Sequence, residues 1–229
     1  MMSPRAFCIS GVTMYKLHCF AQSGNAYKVA LLLQALRQPW TPVHMPFAEF
    51  AGGKVRSDEW RQEVNAMGEV PVLEVDGKSM TQSAAIMLWL ANKHGAYGGK
   101  SDDDRQEVMR WLFFDNHKFT SYFASWRFTK SFAPVAPDPG VEKWLRGRID
   151  NAFGIVEKRL STHDYIVGNE PTIADLSMCG YLYYPVEEST YDIAKTYPAM
   201  ARWLERLKAL PGWKSPYDLM PGERVAPRW

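Results

Sequence analysis

Cysteines are few in this sequence, and no apolar run is long enough to cross a membrane. The 229 residues include three cysteines, too few for a disulfide framework, so we expect a reducing compartment such as the cytoplasm. The longest wholly apolar run, Ala84 to Ala91, is far shorter than the roughly 20 residues that span a bilayer. The segment from Met1 to Gly11 also lacks the hydrophobic region of a signal peptide. The sequence therefore predicts a soluble cytoplasmic protein without membrane contact.

Neither sign of charge is in large excess. Lys and Arg number 27 against 25 Asp and Glu, a formal net charge of +2 at pH 7. A nucleic-acid-binding protein normally carries a concentrated basic excess, so this balance argues against nucleic acid as a partner. The apolar fraction of 46% and the charged fraction of 23% are ordinary for a globular protein, which excludes a disordered or fibrous chain.

Several motifs of nucleotide, metal and nucleophile chemistry are absent from the sequence. It contains no G-x-G-x-x-G, no C-x-x-C, no G-x-S-x-G and no H-E-x-x-H, and its five histidines are scattered. The segment from Gly95 to Ser101 resembles a phosphate-binding loop, but three residues separate Gly95 from Gly99-Lys100 where four are required. We therefore expect neither a metal nor a nucleotide cofactor.

The first half of the chain predicts a mixed α/β domain. Alternating or β-branched apolar residues predict strands, and apolar residues at helical spacing predict helices. Asp76-Gly77 is the strongest short signal for a hairpin turn. The predicted elements are strands over 14–20, 40–45, 70–75 and 78–80 and helices over 26–37 and 82–95, with a loop and irregular helix over 47–63. A strand-helix-strand unit requires a parallel pair, so we expect helices packed on a mixed four-stranded sheet.

The second half predicts helices alone. The acidic run after Ser101 is typical of a helix start, because its carboxylates lie at the positive end of the helix dipole. Thr172-Ile173-Ala174-Asp175 forms a capping box before an apolar run. The predicted helices run from Ser101 through an apolar stripe to Trp126, over 141–160, from Thr172 to Leu182, and over 200–210. We therefore predict two domains, an α/β domain over 13–97 and an all-helical domain over 101–229.

Three polar or proline-containing segments of the first half are predicted to meet at one end of the sheet. They are Ser23 to Asn25, Val70-Pro71 and Gln82-Ser83. Ligands of such sheets gather beyond the carboxyl ends of the parallel strands. Each segment also has a purely structural interpretation, as a helix cap or an edge-strand break. Their joint occurrence in this order favours a binding site.

Five stretches in register make the sequence similar to a known family. They are Ser23 to Val29, Val70 to Gly77, Gln82 to Ile86, Thr172 to Leu176 and Tyr197 to Leu204. Together they resemble the cytosolic glutathione S-transferase family, serine-type and bacterial-like, over about residues 13 to 216. The resemblance implies a thioredoxin-like first domain, an all-helical second domain, glutathione as cosubstrate without a metal, and a homodimer.

The resemblance places catalytic roles on two residues. Ser23 occupies the position at which serine-type members hold the hydroxyl that activates the glutathione sulfur. Asn25 occupies the position of an asparagine that also reaches the sulfur in some bacterial members. Cys19, the alternative for disulfide exchange, lies inside a predicted strand, where a buried and unreactive thiol is favoured.

The resemblance also assigns the contacts to glutathione. Val70 exchanges main-chain hydrogen bonds with the cysteinyl part, Pro71 is cis, and Gln82 and Ser83 hold the γ-glutamyl group at a helix N-terminus. Lys54 or Arg56 reaches the glycine carboxylate, although a solvated surface cation is the competing interpretation. The sequence departs from the family at Ala66, where many members have proline, and at Glu69, whose negative charge should weaken glutathione binding.

The second substrate is expected between the domains. Its candidate pocket residues are Trp111, Phe114, His117 and Tyr122, since aromatic side chains line pockets for apolar ligands. For Trp111 and Tyr122 a place in the helical core is an equal alternative, and His117 could equally be solvated. The predicted function is that of a glutathione S-transferase that directs the thiolate at an apolar electrophile. A glutathione-dependent disulfide-bond reductase and a non-catalytic binding module are the alternatives.

Overall fold

The computed structural model describes residues 13–46 and 54–229. Its strands are β1 (Tyr15–Cys19), β2 (Trp40–His44), β3 (Val72–Val75) and β4 (Lys78–Thr81). Its helices are α1 (Gly24–Ala35), α2 (Asp58–Glu63), α3 (Ser83–His94), α4 (Asp102–Phe114), α5 (Thr120–Ser131), α6 (Pro139–Leu160), α7 (Ile173–Met178), α8 (Val186–Ser189), α9 (Ile193–Thr196), α10 (Pro198–Leu207) and α11 (Pro216–Leu219). A 3-10 turn over Lys54–Arg56 precedes α2, and another over Cys179–Tyr181 follows α7.

The four strands form one mixed sheet in the order β2-β1-β3-β4. β1 and β2 run parallel, whereas β1 with β3 and β3 with β4 run antiparallel. The predicted mixed sheet, its parallel pair and the hairpin at Asp76-Gly77 are confirmed. Pro42 lies in β2, at the edge of the sheet, where a missing N–H costs no ladder bond. Of the irregular stretch predicted over 47–63, residues 47–53 lie outside the described residues.

The two faces of the sheet pack against different helices. One face contributes Tyr15, Leu17 and Leu73 to the large core that also contains α1 and α3. Val72, on the other face, packs against Trp60 of α2 in a smaller cluster. This alternation follows from the pleat, which points successive side chains to opposite faces. It gives the thioredoxin-like first domain that the resemblance implies.

The helical half begins at the predicted cap. Ser101 accepts a hydrogen bond from the Asp104 backbone N–H, and the Asp104 side chain completes the capping box. The box at Thr172 and Asp175 starts α7 in the same way. After α3 the described chain contains helices and turns without a strand, so the all-helical second half is confirmed. The exact domain limits, 13–97 and 101–229, stay predictions.

The long stripe predicted from Ser101 to Trp126 is interrupted by a π-helical turn over Asp115–Phe119. One series of buried side chains in this segment recurs every four residues, more than the 3.6 of an α-helix, so a regular helix would rotate this series off the core. The wider turn absorbs the drift and keeps them on one face. These buried residues are Trp111, Asp115, Phe119, Phe123 and Arg127.

Candidate active site

The sheet register brings the three candidate segments to one end of the sheet. His18, near the end of β1, pairs with Val72 at the start of β3, and Val72 pairs with Thr81 at the end of β4. Ser23 to Asn25, Val70-Pro71 and Gln82-Ser83 each lie just beyond these paired residues. The convergence that the order of elements predicts is therefore present. The Val70-Pro71 peptide bond is cis, as the resemblance implies.

Ser23 is the N-cap of α1. Its side-chain oxygen accepts a hydrogen bond from the Ala26 backbone N–H at 3.2 Å, and the residue is buried. Capping uses a lone pair of the hydroxyl and leaves its proton free to donate. The structural and the functional interpretations of Ser23 are therefore compatible, because one oxygen can cap the helix and donate a hydrogen bond to a ligand.

Ser23 borders a cavity of about 190 Å³ between the sheet and the helical half. Both halves of the chain contribute to its wall. From the first half come Phe20, Gln22, Ser23, Asn25, Glu69 and Val70, and from the second Ala124, Arg127, Phe128, Phe132 and Tyr181. Three of the predicted site residues, Ser23, Asn25 and Val70, are thus brought together on one surface. Glu69 also lines this cavity, so the weaker glutathione binding expected from its negative charge stays a prediction.

The Tyr181 ring covers the backbone between Ser23 and Asn25. A Cβ atom on Gly24 would overlap the carbons of this ring, so the close packing requires a glycine. Burial raises the pKa of the Tyr181 phenol, and the Asn25 backbone N–H and the Arg127 charge oppose the rise. The phenol is therefore neutral near pH 7. Sequence reasoning missed Tyr181, and the only signal for it was its place in an aromatic run after the second capping box.

We expect Gly24→Ala to destabilise the protein by about 1–3 kcal/mol, because the new methyl group pushes the Tyr181 ring out of its packed position. Gly154→Ala, in the middle of α6, is the matched control, since nothing lies within 4 Å of its added Cβ. That control should stabilise the chain by about 0.5–1 kcal/mol through its better helix propensity. Urea unfolding measures both. Equal free energies of unfolding for the two variants would contradict the packing argument.

The residues predicted to hold the γ-glutamyl and glycine ends do not line this cavity. Gln82 has a positive φ of 67° and precedes α3, whose N-terminus has no side-chain cap. Ser83 is buried in the first turn of α3. Lys54 and Arg56 are exposed in the 3-10 turn before α2. The first backbone N–H groups of α3 therefore have no side-chain cap.

The four residues predicted to hold the second substrate do not line this cavity. Trp111 is buried and packs edge-on against Phe114, with 5.5 Å between ring centroids. Tyr122 packs against Trp144 of α6, and His117 is exposed in the π turn. The cavity instead receives Ala124, Arg127 and Phe128 from α5. Trp111 therefore lies in the helical core, which is the alternative that the sequence left open for it.

Cys19 and Cys179 are buried thiols. Burial raises the pKa of Cys19 to about 12 and that of Cys179 above its usual range. Both are therefore protonated at neutral pH, and a protonated, inaccessible thiol does not attack a disulfide. This is the unreactive state favoured from the sequence for Cys19. Cys8 lies outside the described residues.

Within residues 13–46 and 54–229, no helix is long and apolar enough to cross a membrane. In the same ranges, no group of three or more His, Cys, Asp or Glu side chains is placed to hold a metal ion.

Comparisons with known proteins agree with the fold. The profile of the glutathione S-transferase N-terminal domain matches residues 17–100, and that of the glutathione S-transferase C-terminal domain matches residues 120–211. Glutathione S-transferase F11 of Arabidopsis thaliana is 29% identical over 160 residues, which are 66% of this chain and 75% of the relative.

Solved structures extend the similarity over most of the chain. The glutathione S-transferase of Pseudomonas fluorescens is 29% identical with a TM-score of 0.78, and the match covers 89% of this chain and 99% of that one. The glutathione S-transferase of Xanthobacter autotrophicus Py2 is 30% identical with a TM-score of 0.77, over 87% of this chain and 95% of that one. The resemblance seen in the sequence is thus confirmed, and the chain belongs to the glutathione S-transferase family.

Proposed function

We propose that this protein is a glutathione-dependent transferase that stabilises the glutathione thiolate and directs it at an apolar electrophile. The observation that carries the proposal is the Ser23 hydroxyl, which lies on the cavity wall at the N-terminus of α1 with its proton free to donate. Asn25, on the same wall, is the second donor to the sulfur. Ser23 acts as a hydrogen-bond donor and not as a covalent nucleophile, so it needs no general base.

The energies of these groups are sufficient for thiol activation. A free thiol with a pKa of about 8.5 is only about 3% ionised at pH 7. Lowering its pKa by about two units requires about 2.7 kcal/mol of preferential stabilisation of the anion. A hydrogen bond to a charged group contributes about 1.5–3 kcal/mol, and a helix N-terminus adds about 0.3–1 kcal/mol. Ser23 and the dipole of α1 together reach this value.

The proposal assigns the remaining parts of glutathione to the N-terminus of α3, the Val70 main chain and the 3-10 turn before α2. The uncapped N-terminus of α3 offers backbone N–H groups to the γ-glutamyl carboxylate beside Gln82 and Ser83. The Val70 main chain, just before the cis bond and on the cavity wall, is assigned to the cysteinyl part. Lys54 or Arg56 supplies a cation for the glycine carboxylate.

The electrophile pocket is proposed on the helical side of the cavity. Phe128, Phe132 and Ala124 supply apolar surface there, and Tyr181 adds a neutral phenol. These residues replace Trp111, Phe114, His117 and Tyr122 in the proposal, because none of those four reaches the cavity wall. The proposal also includes a homodimer, which light scattering of the purified protein tests, and a cytoplasmic location, which cell fractionation tests.

The test of the proposed function measures binding and thiol ionisation separately. The purified protein is passed over immobilised glutathione, and the ultraviolet absorbance of thiolate is followed against pH in its complex with free glutathione. We expect retention and a thiol pKa well below that of free glutathione. An activated aryl halide and hydroxyethyl disulfide are then compared as substrates. Activity on the disulfide alone would favour the reductase, and absence of retention would favour the binding module.

A further inference from the structure

The two residues before Ser23 are held by side chains of the helical half. The Ala21 carbonyl accepts a hydrogen bond from the Tyr184 hydroxyl at 2.7 Å, and the Gln22 carbonyl accepts one from Arg127 Nη1 at 2.8 Å. The C-terminal segment adds a third contact, because the Pro221 carbonyl accepts a hydrogen bond from the Ala21 N–H at 2.8 Å. Two successive peptide groups are therefore fixed by residues more than a hundred positions along the chain.

Arg127 is itself immobilised. Its Nε and Nη2 donate to Glu188 Oε2 at 2.9 and 2.5 Å, and its guanidinium lies 3.6 Å from the centroid of the Tyr184 ring. The side chain is 2% exposed and that of Glu188 is fully buried. Tyr217 donates a further hydrogen bond to Glu188 Oε1 at 2.9 Å. A buried pair with several hydrogen bonds keeps its geometry, because any rotation leaves a charge unpaired in a dry environment.

This geometry acts directly on Ser23. The carbonyl of Gln22 and the N–H of Ser23 belong to one planar peptide group, so fixing the carbonyl also fixes the N–H and the direction of the Ser23 Cα. The Ser23 N–H donates to the Phe20 carbonyl at 3.0 Å, which closes the turn. The backbone that carries the Ser23 hydroxyl to the cavity wall is thus held from the helical half, while the Ala26 N–H holds the oxygen itself.

We propose that Arg127 and Tyr184 are positioning residues for thiol activation. They hold the two peptide groups that contain the Ala21 and Gln22 carbonyls, so that the Ser23 hydroxyl meets the glutathione sulfur. The inference rests on the proposed function and adds to it which residues orient Ser23. Arg127 acts through the Gln22 carbonyl, and its charge is paired with Glu188, whose other oxygen lies 3.5 Å from Arg224 Nε. The other charged side chain on the cavity wall is Glu69.

Two adjacent tyrosines provide a matched experiment. Tyr184→Phe removes the hydrogen bond to the Ala21 carbonyl and keeps the ring under Arg127. Tyr183→Phe is the control, because the Tyr183 hydroxyl donates to the Leu204 carbonyl at 2.8 Å, within the helical half. The readouts are the thiol pKa in the glutathione complex and the pH profiles of kcat and KM.

We expect Tyr184→Phe to raise the thiol pKa by about half a unit to one unit and to lower kcat/KM below neutral pH about three- to ten-fold. The loss should vanish at alkaline pH, where the thiol ionises without help, and KM for glutathione should stay unchanged. Tyr183→Phe should behave as wild type. An equal loss at all pH values, or the same loss in both variants, would overturn the positioning role.

Arg127 is tested with variants that leave no unpaired charge in the interior. Arg127→Lys keeps a cation for Glu188, and we expect it to raise the thiol pKa less than Arg127→Met combined with Glu188→Met. A rise in KM for glutathione that persists at alkaline pH in Arg127→Lys would instead place the guanidinium in ligand binding and overturn the inference. A wild-type complex without a lowered thiol pKa would reject the proposed function itself. The two failures are therefore distinguishable.

Discussion

Replacing Ser23 with alanine is expected to lower kcat/KM with an activated aryl halide about 10- to 100-fold near neutral pH. The variant removes a hydrogen bond to the thiolate worth about 1.5–3 kcal/mol, so the thiol pKa in the complex should rise by about one to two units. Because Ser23 stabilises the anion, the loss in kcat/KM is greatest below the pKa of free glutathione. Above that pKa the thiol ionises without help, and the loss fades. Thiolate absorbance and initial rates, both against pH, measure the change.

The variant also removes a helix cap, so a control for that loss is needed. Ser23 caps α1 through the Ala26 N–H, and loss of a cap costs about 0.5–2 kcal/mol of stability. Ser101→Ala removes the equivalent cap of α4, where the Ser101 oxygen accepts from the Asp104 N–H at 3.0 Å. That control should lose stability and keep its activity. Ser23→Thr keeps a hydroxyl and should retain most of the thiol activation. An unchanged thiol pKa in Ser23→Ala would eliminate Ser23 as the activator and leave Asn25 as the donor.

The sheet side of the site could be predicted because its signals are local. Ser23 to Asn25, Val70-Pro71 and Gln82-Ser83 lie at the ends of elements with clear periodicity, and the order of those elements places them together. The hairpin at Asp76-Gly77 fixes the register between β3 and β4, and hence the position of Gln82 relative to Val70. Local chemistry and topology therefore sufficed for this half.

The helical side of the site could not be predicted in the same way. An apolar stripe shows which face of a helix is buried, but not which neighbour covers it, so the stripe around Trp111 could represent a pocket or a core. The π turn over Asp115–Phe119 then changes the phase of the helix before α5. Arg127 had no sequence signal, because a cation on a helix is most often at the surface. Its partners come from α8 and from the turn after β1, which only the tertiary fold brings together.

Lys28 is another buried residue that the sequence pattern does not predict, and its replacement is expected to have a large effect on stability. The periodicity of α1 leaves Lys28 outside the apolar positions, yet it is fully buried because α1 packs between the sheet and the helical half. Its Nζ donates to Asp115 Oδ2 at 2.9 Å and to Thr120 Oγ1 at 3.2 Å. Ser177 Oγ donates to the same Asp115 oxygen at 2.5 Å. The pair therefore joins α1 to the π turn in the interior.

We expect Lys28→Met to destabilise the protein by about 3–5 kcal/mol, because methionine fills the space but leaves the Asp115 carboxylate buried without a countercharge. Lys28→Met with Asp115→Asn should recover most of this loss, since a neutral amide oxygen still accepts from Ser177 without needing a cation. Lys208→Met, which breaks a solvent-exposed pair with Glu205, is the matched control and should cost no more than about 1 kcal/mol. Urea unfolding of the four proteins, wild type included, measures these differences. If Lys28→Met lowered the free energy of unfolding as little as Lys208→Met does, Asp115 would be solvated when its partner is removed. The π turn would then not depend on Lys28 for its place against α1.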